Sequence, residues 1–149
     1  MIVKIRKSKS RDIRKLSGRL READAQELLA AGNASVESAL ADSFHSSTLR
    51  RTIELDGVPV GMFGIVPETL LGDIANVWLL GTPELAQIKK TFVRQSRRVI
   101  AEFLLHYPVL WNVVDCRYVS AIRWLESCGA VFDEGSAIPG FRRFSIRRA

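Results

Sequence analysis

Ile74-Ala75-Asn76-Val77-Trp78-Leu79-Leu80, followed at once by Gly81-Thr82-Pro83-Glu84, is the stretch on which the reading turns. Seven nearly unbroken apolar residues suit a central strand with both faces covered. Thr82 offers a capping hydroxyl, Pro83 suits the first helical position, and Glu84 adds an acid in the first turn, so a helix begins here. Its pattern runs to His106 and is stopped by Tyr107-Pro108. Leu85, Ile88, Phe92, Val99 and Phe103 form an apolar face, and Lys90, Arg94, Arg97 and Arg98 gather opposite. On an α-helical wheel Lys89 falls inside the apolar arc. A second apolar run, Val109–Val114, closes at Asp115. Strand, helix and strand in this order predict two parallel neighbours that splay at their C-terminal ends. Backbone groups of Trp78 and Leu80 are then exposed where an open parallel arrangement takes a ligand.

Working outward, Leu49–Leu55 alternates like a strand, Asp56-Gly57 is a strong hairpin signal, and Val58–Val66 returns. Upstream, Ile2–Arg6 reads as a short strand. Ser10 is the expected cap of one helix running through Ile13, Leu16, Leu20 and Leu28 to Gly32, and Ser35 caps a second. Downstream, Val119–Cys128 reads as a helix followed by Gly129. Ala130–Phe132 and Phe141–Ile146 read as strands around a Gly135–Gly140 loop. The economical arrangement is a single α+β domain, residues 1–149, with one mixed β-sheet and helices on both faces.

Composition agrees with a soluble globular chain: 47% of the 149 residues are hydrophobic and 26% are charged. No apolar stretch approaches the roughly 20 residues of a membrane helix. Met1–Ser10 lacks the apolar core of a secretory signal, so a cytoplasmic protein without membrane contact is expected. The net charge of +6 is unevenly spread: residues 1–21 carry +8, residues 22–88 carry −8 and residues 89–149 carry +6. Such blocks serve solubility and internal complementarity, or they meet a polyanion. Nucleic acid is disfavoured, because aromatic residues are not interleaved with the basic clusters as stacking platforms. Cys116 and Cys128 are too few and too far apart for a zinc site and are expected as buried free thiols. His45 and His106 have no ligand spacing around them, so no metal is expected.

The order of elements resembles the GNAT fold of acyl-CoA-dependent N-acetyltransferases. Ala121-Ile122-Arg123-Trp124-Leu125-Glu126-Ser127-Cys128-Gly129-Ala130 looks like the segment in which a late GNAT helix enters the sixth strand. A second set of blocks spans residues 60–132: Trp78-Leu79-Leu80-Gly81-Thr82, then Phe92, Arg94 and Ser96, then Tyr107-Pro108-Val109-Leu110 and Asn112-Val113-Val114-Asp115. These are similar to a family of small tailed-phage proteins that includes acetyltransferases and the internal virion protein A of short-tailed phages. The likeness implies a phage or prophage source, with a place in the host cytoplasm or the virion.

The GNAT resemblance implies acetyl-CoA as cofactor and an amine of unknown identity as acceptor. It places cofactor-binding residues at Trp78, Leu80, Gly81, Thr82 and Lys89. Two departures stand out. The family's Gly-rich loop after its fourth strand holds the cofactor diphosphate with backbone N–H groups, whereas here Gly81-Thr82-Pro83-Glu84 has one Gly, a Pro without an N–H, and an acid. Lys89 either offsets that acid or lays its stem over apolar surface with the amine outward. In many relatives a Tyr on the late helix protonates the departing thiolate, and the matching residue here is Leu125. Tyr118 is the nearest substitute acid, or else a half-buried loop aromatic. Asp115, like Asp73, is a candidate base acting through water, or else a turn cap. Two readings lead: a transferase or degenerate relative with weak cofactor binding, and a non-catalytic phage protein acting through phage or host protein partners.

Overall fold

The computed structural model describes residues 1–30, 32–133 and 139–149. Its strands are β1 (Val3–Lys7), β2 (Leu49–Leu55), β3 (Val58–Pro67), β4 (Ile74–Gly81), β5 (Val109–Asp115), β6 (Val131–Asp133) and β7 (Phe141–Arg147). Its helices are α1 (Arg11–Ser17), α2 (Glu22–Ala30), α3 (Val36–Ser46), α4 (Lys89–His106) and α5 (Val119–Ser127), with a 3-10 segment at Pro83–Ile88. The strands form one mixed sheet in the order β1-β2-β3-β4-β5-β7-β6, an α+β arrangement. Of the expected loop Gly135–Gly140, residues 135–138 lie outside the described residues. Among the described residues no helix is long and apolar enough to cross a membrane. The chain divides into two compact units, residues 1–66 with 78–92, and residues 67–77 with 93–149.

In the first unit β1 lies antiparallel to β2, from Val3 opposite Leu55 to Lys7 opposite Arg51. The Asp56-Gly57 turn forms as expected: both residues have positive φ, 51° and 83°, which the tight hairpin requires. Ile13, Leu16, Leu40, Phe44, Met62 and Leu80 pack as one buried cluster. Asp12 is wholly buried beside it. Its carboxylate accepts from Arg6 Nη1 and Nη2 (2.8 and 2.9 Å), the Lys9 N–H (2.8 Å) and the Thr52 hydroxyl (2.9 Å), tying β1, α1 and β2 together.

Two expectations fail here. Ser10 makes no capping bond; Asp12 takes the Lys9 N–H instead. The single helix expected from Ser10 to Gly32 is two helices, because Gly18 caps α1 and the chain turns through Gly18–Arg21 before α2. Glycine in a helical pattern costs about 1 kcal/mol against alanine, and here the backbone leaves the helix at that point. Ser35 does cap α3, its side chain accepting from the Ser38 N–H at 3.1 Å.

In the second unit β5 runs parallel to the start of β4, with Ile74, Ala75 and Asn76 opposite Val109, Leu110 and Trp111. On its other side β5 pairs antiparallel with β7 along its whole length, from Val109–Arg147 to Asp115–Phe141. The short β6 closes that edge. The Trp124 indole N–H donates to the Ser96 hydroxyl at 2.8 Å, joining α5 to α4, with both residues buried. Arg97 Nε donates to the Ser127 carbonyl at 2.7 Å, closing the end of α5. Lys90, Arg94, Arg97 and Arg98 are all exposed, as their wheel position predicts.

Candidate functional site

The site is built on β4, and the strand's alternation decides what it offers. The Ile74 carbonyl accepts from the Glu68 N–H at 3.1 Å, and the Thr82 N–H donates to the Val60 carbonyl at 2.9 Å. Both bonds point toward β3. Backbone groups alternate sides along a strand, so those of Trp78 and Leu80 also face β3. The residues directed to the opposite edge are Val77, Leu79 and Gly81. The expectation of exposed backbone groups at Trp78 and Leu80 is therefore corrected by one residue.

On that opposite edge the parallel ladder ends at Asn76. The next carbonyl, that of Val77, accepts from the Asn112 side-chain amide at 2.6 Å. Four residues on, the turn between α1 and α2 meets the end of β4. The Arg21 N–H donates to the Gly81 carbonyl at 2.7 Å, and the Gly81 N–H donates to Asp24 Oδ2 at 3.0 Å. Asp24 is buried and also accepts from Arg21 Nη2 and Nε, at 2.8 and 3.0 Å. In the strand's alternation Leu79 is the residue of that edge that falls between Val77 and Gly81.

The loop after β4 has its N–H groups committed. Gly81 donates to Asp24, Thr82 to Val60, and Leu85 to the Thr82 carbonyl at 3.2 Å. Pro83 has no N–H. The Glu84 N–H faces its own carboxylate. The neighbouring Thr82 hydroxyl first, then that N–H and Arg19, hold the Glu84 carboxyl below its ordinary range, so it is an anion at neutral pH. The Thr82 hydroxyl nevertheless stands short of hydrogen-bond geometry: Thr82 Oγ1 and Glu84 Oε2 are buried atoms without a hydrogen-bond partner. Arg19 reaches Glu84 at 3.8 Å while also donating to the Pro59 and Lys15 carbonyls. A diphosphate cradle needs several uncommitted N–H donors and no adjacent anion. The segment Gly81–Leu85 does not fit one.

The predicted cofactor residues take ordinary structural places around this edge. The Trp78 indole N–H donates to Ser47 Oγ at 2.7 Å, and its ring lies over Gly64, where a Cβ would come within 3.1 Å. Leu80 is in the core and Thr82 is wholly buried. Lys89 is exposed, as in the outward of the two placements weighed for it and not the inward one. Lys89 is the first residue of α4, directly after the 3-10 segment Pro83–Ile88, and from that end of the helix a long side chain can carry its amine to solvent.

In the second unit Asp115 and Tyr118 share one turn. The Asp115 carboxylate, itself buried, accepts from Arg117 Nη2 at 2.7 Å, Nε at 3.1 Å and the Arg117 N–H at 2.9 Å. The Arg117 guanidinium and N–H pull the Asp115 carboxyl below the ordinary range, which makes it a weak proton acceptor. The Tyr118 N–H donates to the Asp115 carbonyl at 3.0 Å, and half-buried Tyr118 stands at the head of α5. Leu125 is buried. Cys128 is half-buried, and burial pushes its thiol up; Cys116 is exposed rather than buried as expected.

Arg21 and Asp24 carry no motif in the sequence, and Asn112 enters there only as part of the block Asn112–Asp115. Gly18 was the available signal for the first two, since a break there is what brings Arg21 and Asp24 to β4. No local pattern marks Asn112.

No protein-family model matches the sequence, and neither does any curated protein. Solved structures do match over the full chain. Ard1 from Thermoplasma volcanium superposes with a TM-score of 0.72 at 12% identity, covering 100% of this chain and 99% of that one. A GNAT-family acetyltransferase from Bacillus anthracis gives 0.71 at 12% identity, with 99% and 95% covered. A spermidine N-acetyltransferase chimera of Vibrio cholerae SpeG and hSSAT gives 0.66 at 18% identity, with 98% and 95% covered. The chain has the fold of the GNAT acetyltransferases.

Proposed function

We propose that the chain is an N-acetyltransferase of GNAT type that holds acetyl-CoA weakly. The observation that carries the reading is the β4 edge: the parallel ladder stops after three pairs, and Leu79 follows on the same edge. Such an edge suits an extended, amide-bearing acyl-thiol arm, which pairs with backbone as a strand does. The full-length likeness to acetyltransferase structures supports it. In acetyl transfer the amine nitrogen bonds the acyl carbon, the carbon–sulfur bond breaks, and the amine's proton is lost as the thiolate gains one.

Tyr118 is the hydroxyl we assign to thiolate protonation. Asp115, paired with Arg117, fixes the turn that carries Tyr118 and is not the base we favour. The sequence blocks shared with small tailed-phage proteins extend the reading to a phage or prophage source.

The test is release of free thiol from acetyl-CoA in the presence of polyamines, lysine peptides and peptide N-termini. Turnover with any of these classes supports the reading. No release above the uncatalysed rate, together with no donor binding by calorimetry, removes it. One observation favours a second reading, a non-catalytic scaffold for phage or host protein partners: the loop's N–H groups are committed within the chain.

A further inference from the structure

The misfit of the loop with a diphosphate bears on which donors the protein accepts. Acetyl-CoA has two separable parts, an acyl-pantetheine arm and a nucleotide attached through a diphosphate. The β4 edge offers the arm Leu79, while the segment Gly81–Leu85 offers the diphosphate no uncommitted N–H. The Gly81 N–H is held by a buried carboxylate, the Thr82 N–H by β3, the Leu85 N–H by the 3-10 turn, and Pro83 has none. The same segment carries the Glu84 carboxylate, held as an anion. Its cationic neighbour Arg19 is already divided among Glu84 and two carbonyls.

We propose, resting on the acetyltransferase reading, that the donor is recognised by its acyl-pantetheine arm alone. S-acylpantetheine thioesters then serve as well as acetyl-CoA, whether the arm is free or carried as a phosphopantetheine on a protein. Lys89 and Lys90 are the first two residues of α4, directly after the 3-10 segment. Both are exposed, so their pull on a nucleotide is screened at physiological salt, where the Debye length is about 8 Å.

The experiment compares calorimetric affinities of the whole chain for acetyl-CoA and S-acetylpantetheine at about 0.15 M salt. The expected dissociation constants lie within tenfold of each other. A Glu84→Gln variant, which removes the anion, is expected to tighten acetyl-CoA severalfold and leave S-acetylpantetheine unchanged. An acetylated carrier-protein phosphopantetheine, added as a third ligand, distinguishes the free arm from the protein-borne one. Acetyl-CoA binding more than tenfold tighter than S-acetylpantetheine overturns the inference while leaving the acetyltransferase reading intact. Binding of neither ligand overturns both.

Discussion

Replacing Asp24 by alanine tests whether the turn between α1 and α2 truly seals the end of β4. The carboxylate makes three bonds, to the Gly81 N–H at 3.0 Å and to Arg21 at 2.8 and 3.0 Å. The two partners differ in what their loss costs. The Arg21 side chain is 34% exposed and regains water, so its share is that of a partly screened pair, about 0.5 kcal/mol. The Gly81 N–H is buried and regains nothing, and an unpaired buried donor costs about 1–3 kcal/mol. Asp24→Ala should therefore destabilise by about 1.5–3.5 kcal/mol, whereas Arg21→Ala leaves the buried Asp24 carboxylate without its cation but keeps the Gly81 bond. Urea unfolding of both variants measures this, with unchanged slopes showing that the unfolded state is unaffected. Amide exchange at Gly81 should accelerate in Asp24→Ala and not in Arg21→Ala. If Asp24→Ala leaves Gly81 exchange unaltered, the carboxylate serves only Arg21, and the committed loop argued above is wrong.

Stability should fall on acidification through the Asp12 network. Burial pushes the Asp12 carboxyl up, but Arg6, the Lys9 N–H and the Thr52 hydroxyl together outweigh it and hold the group below its ordinary range. A depressed carboxyl stabilises the fold fully above the unfolded value, near 3.9, and that contribution disappears as pH falls through the folded one. Unfolding followed between pH 5 and pH 2 should thus show a loss that Asp12→Asn largely abolishes. Ser96→Ala removes the hydroxyl that accepts from the buried Trp124 indole N–H and should cost about 1–3 kcal/mol, with a shift in tryptophan emission as the readout. Tyr118→Phe should lower kcat by about a hundredfold with little change in KM, as expected for loss of an acid acting only in the transition state. An unchanged kcat removes Tyr118 from the chemistry.

Much of the fold was legible because its signals are local. The apolar runs at Ile74–Leu80 and Val109–Val114, the Asp56-Gly57 turn and the Ser35 cap each act within a few residues, and each element forms where its pattern places it. The errors arose where a local pattern was extended across a break. The helical periodicity on either side of Gly18 concealed two helices, and the helix expected from Pro83 opens as a 3-10 segment that becomes α-helical only at Lys89. The site was less legible. Which residues of β4 present backbone to its far edge is set by registration with β3, through pairs such as Thr82 with Val60. The partners of Gly81 come from a segment 57 residues earlier. Neither relation leaves a trace in the spacing of nearby residues.

The outer strands of the sheet carry a further consequence for solubility during folding. β1 and β6 lie at the two ends of the strand order, so among the described residues each has one side that faces no further strand of the sheet. An unpaired strand is a template on which another chain can add, and long apolar edges are the usual start of aggregation. β6 has only three residues, too short a ladder to hold a second strand firmly. β1 has five, but Lys4, Arg6 and Lys7 occupy three of them, with both lysines exposed. A second copy laid along β1 would place like charges against one another. The basic N-terminal block thus acts as a guard against edge-to-edge growth, whatever partner it also meets. Replacing Lys4 and Lys7 by valine should leave the monomer folded while lowering the concentration at which it precipitates.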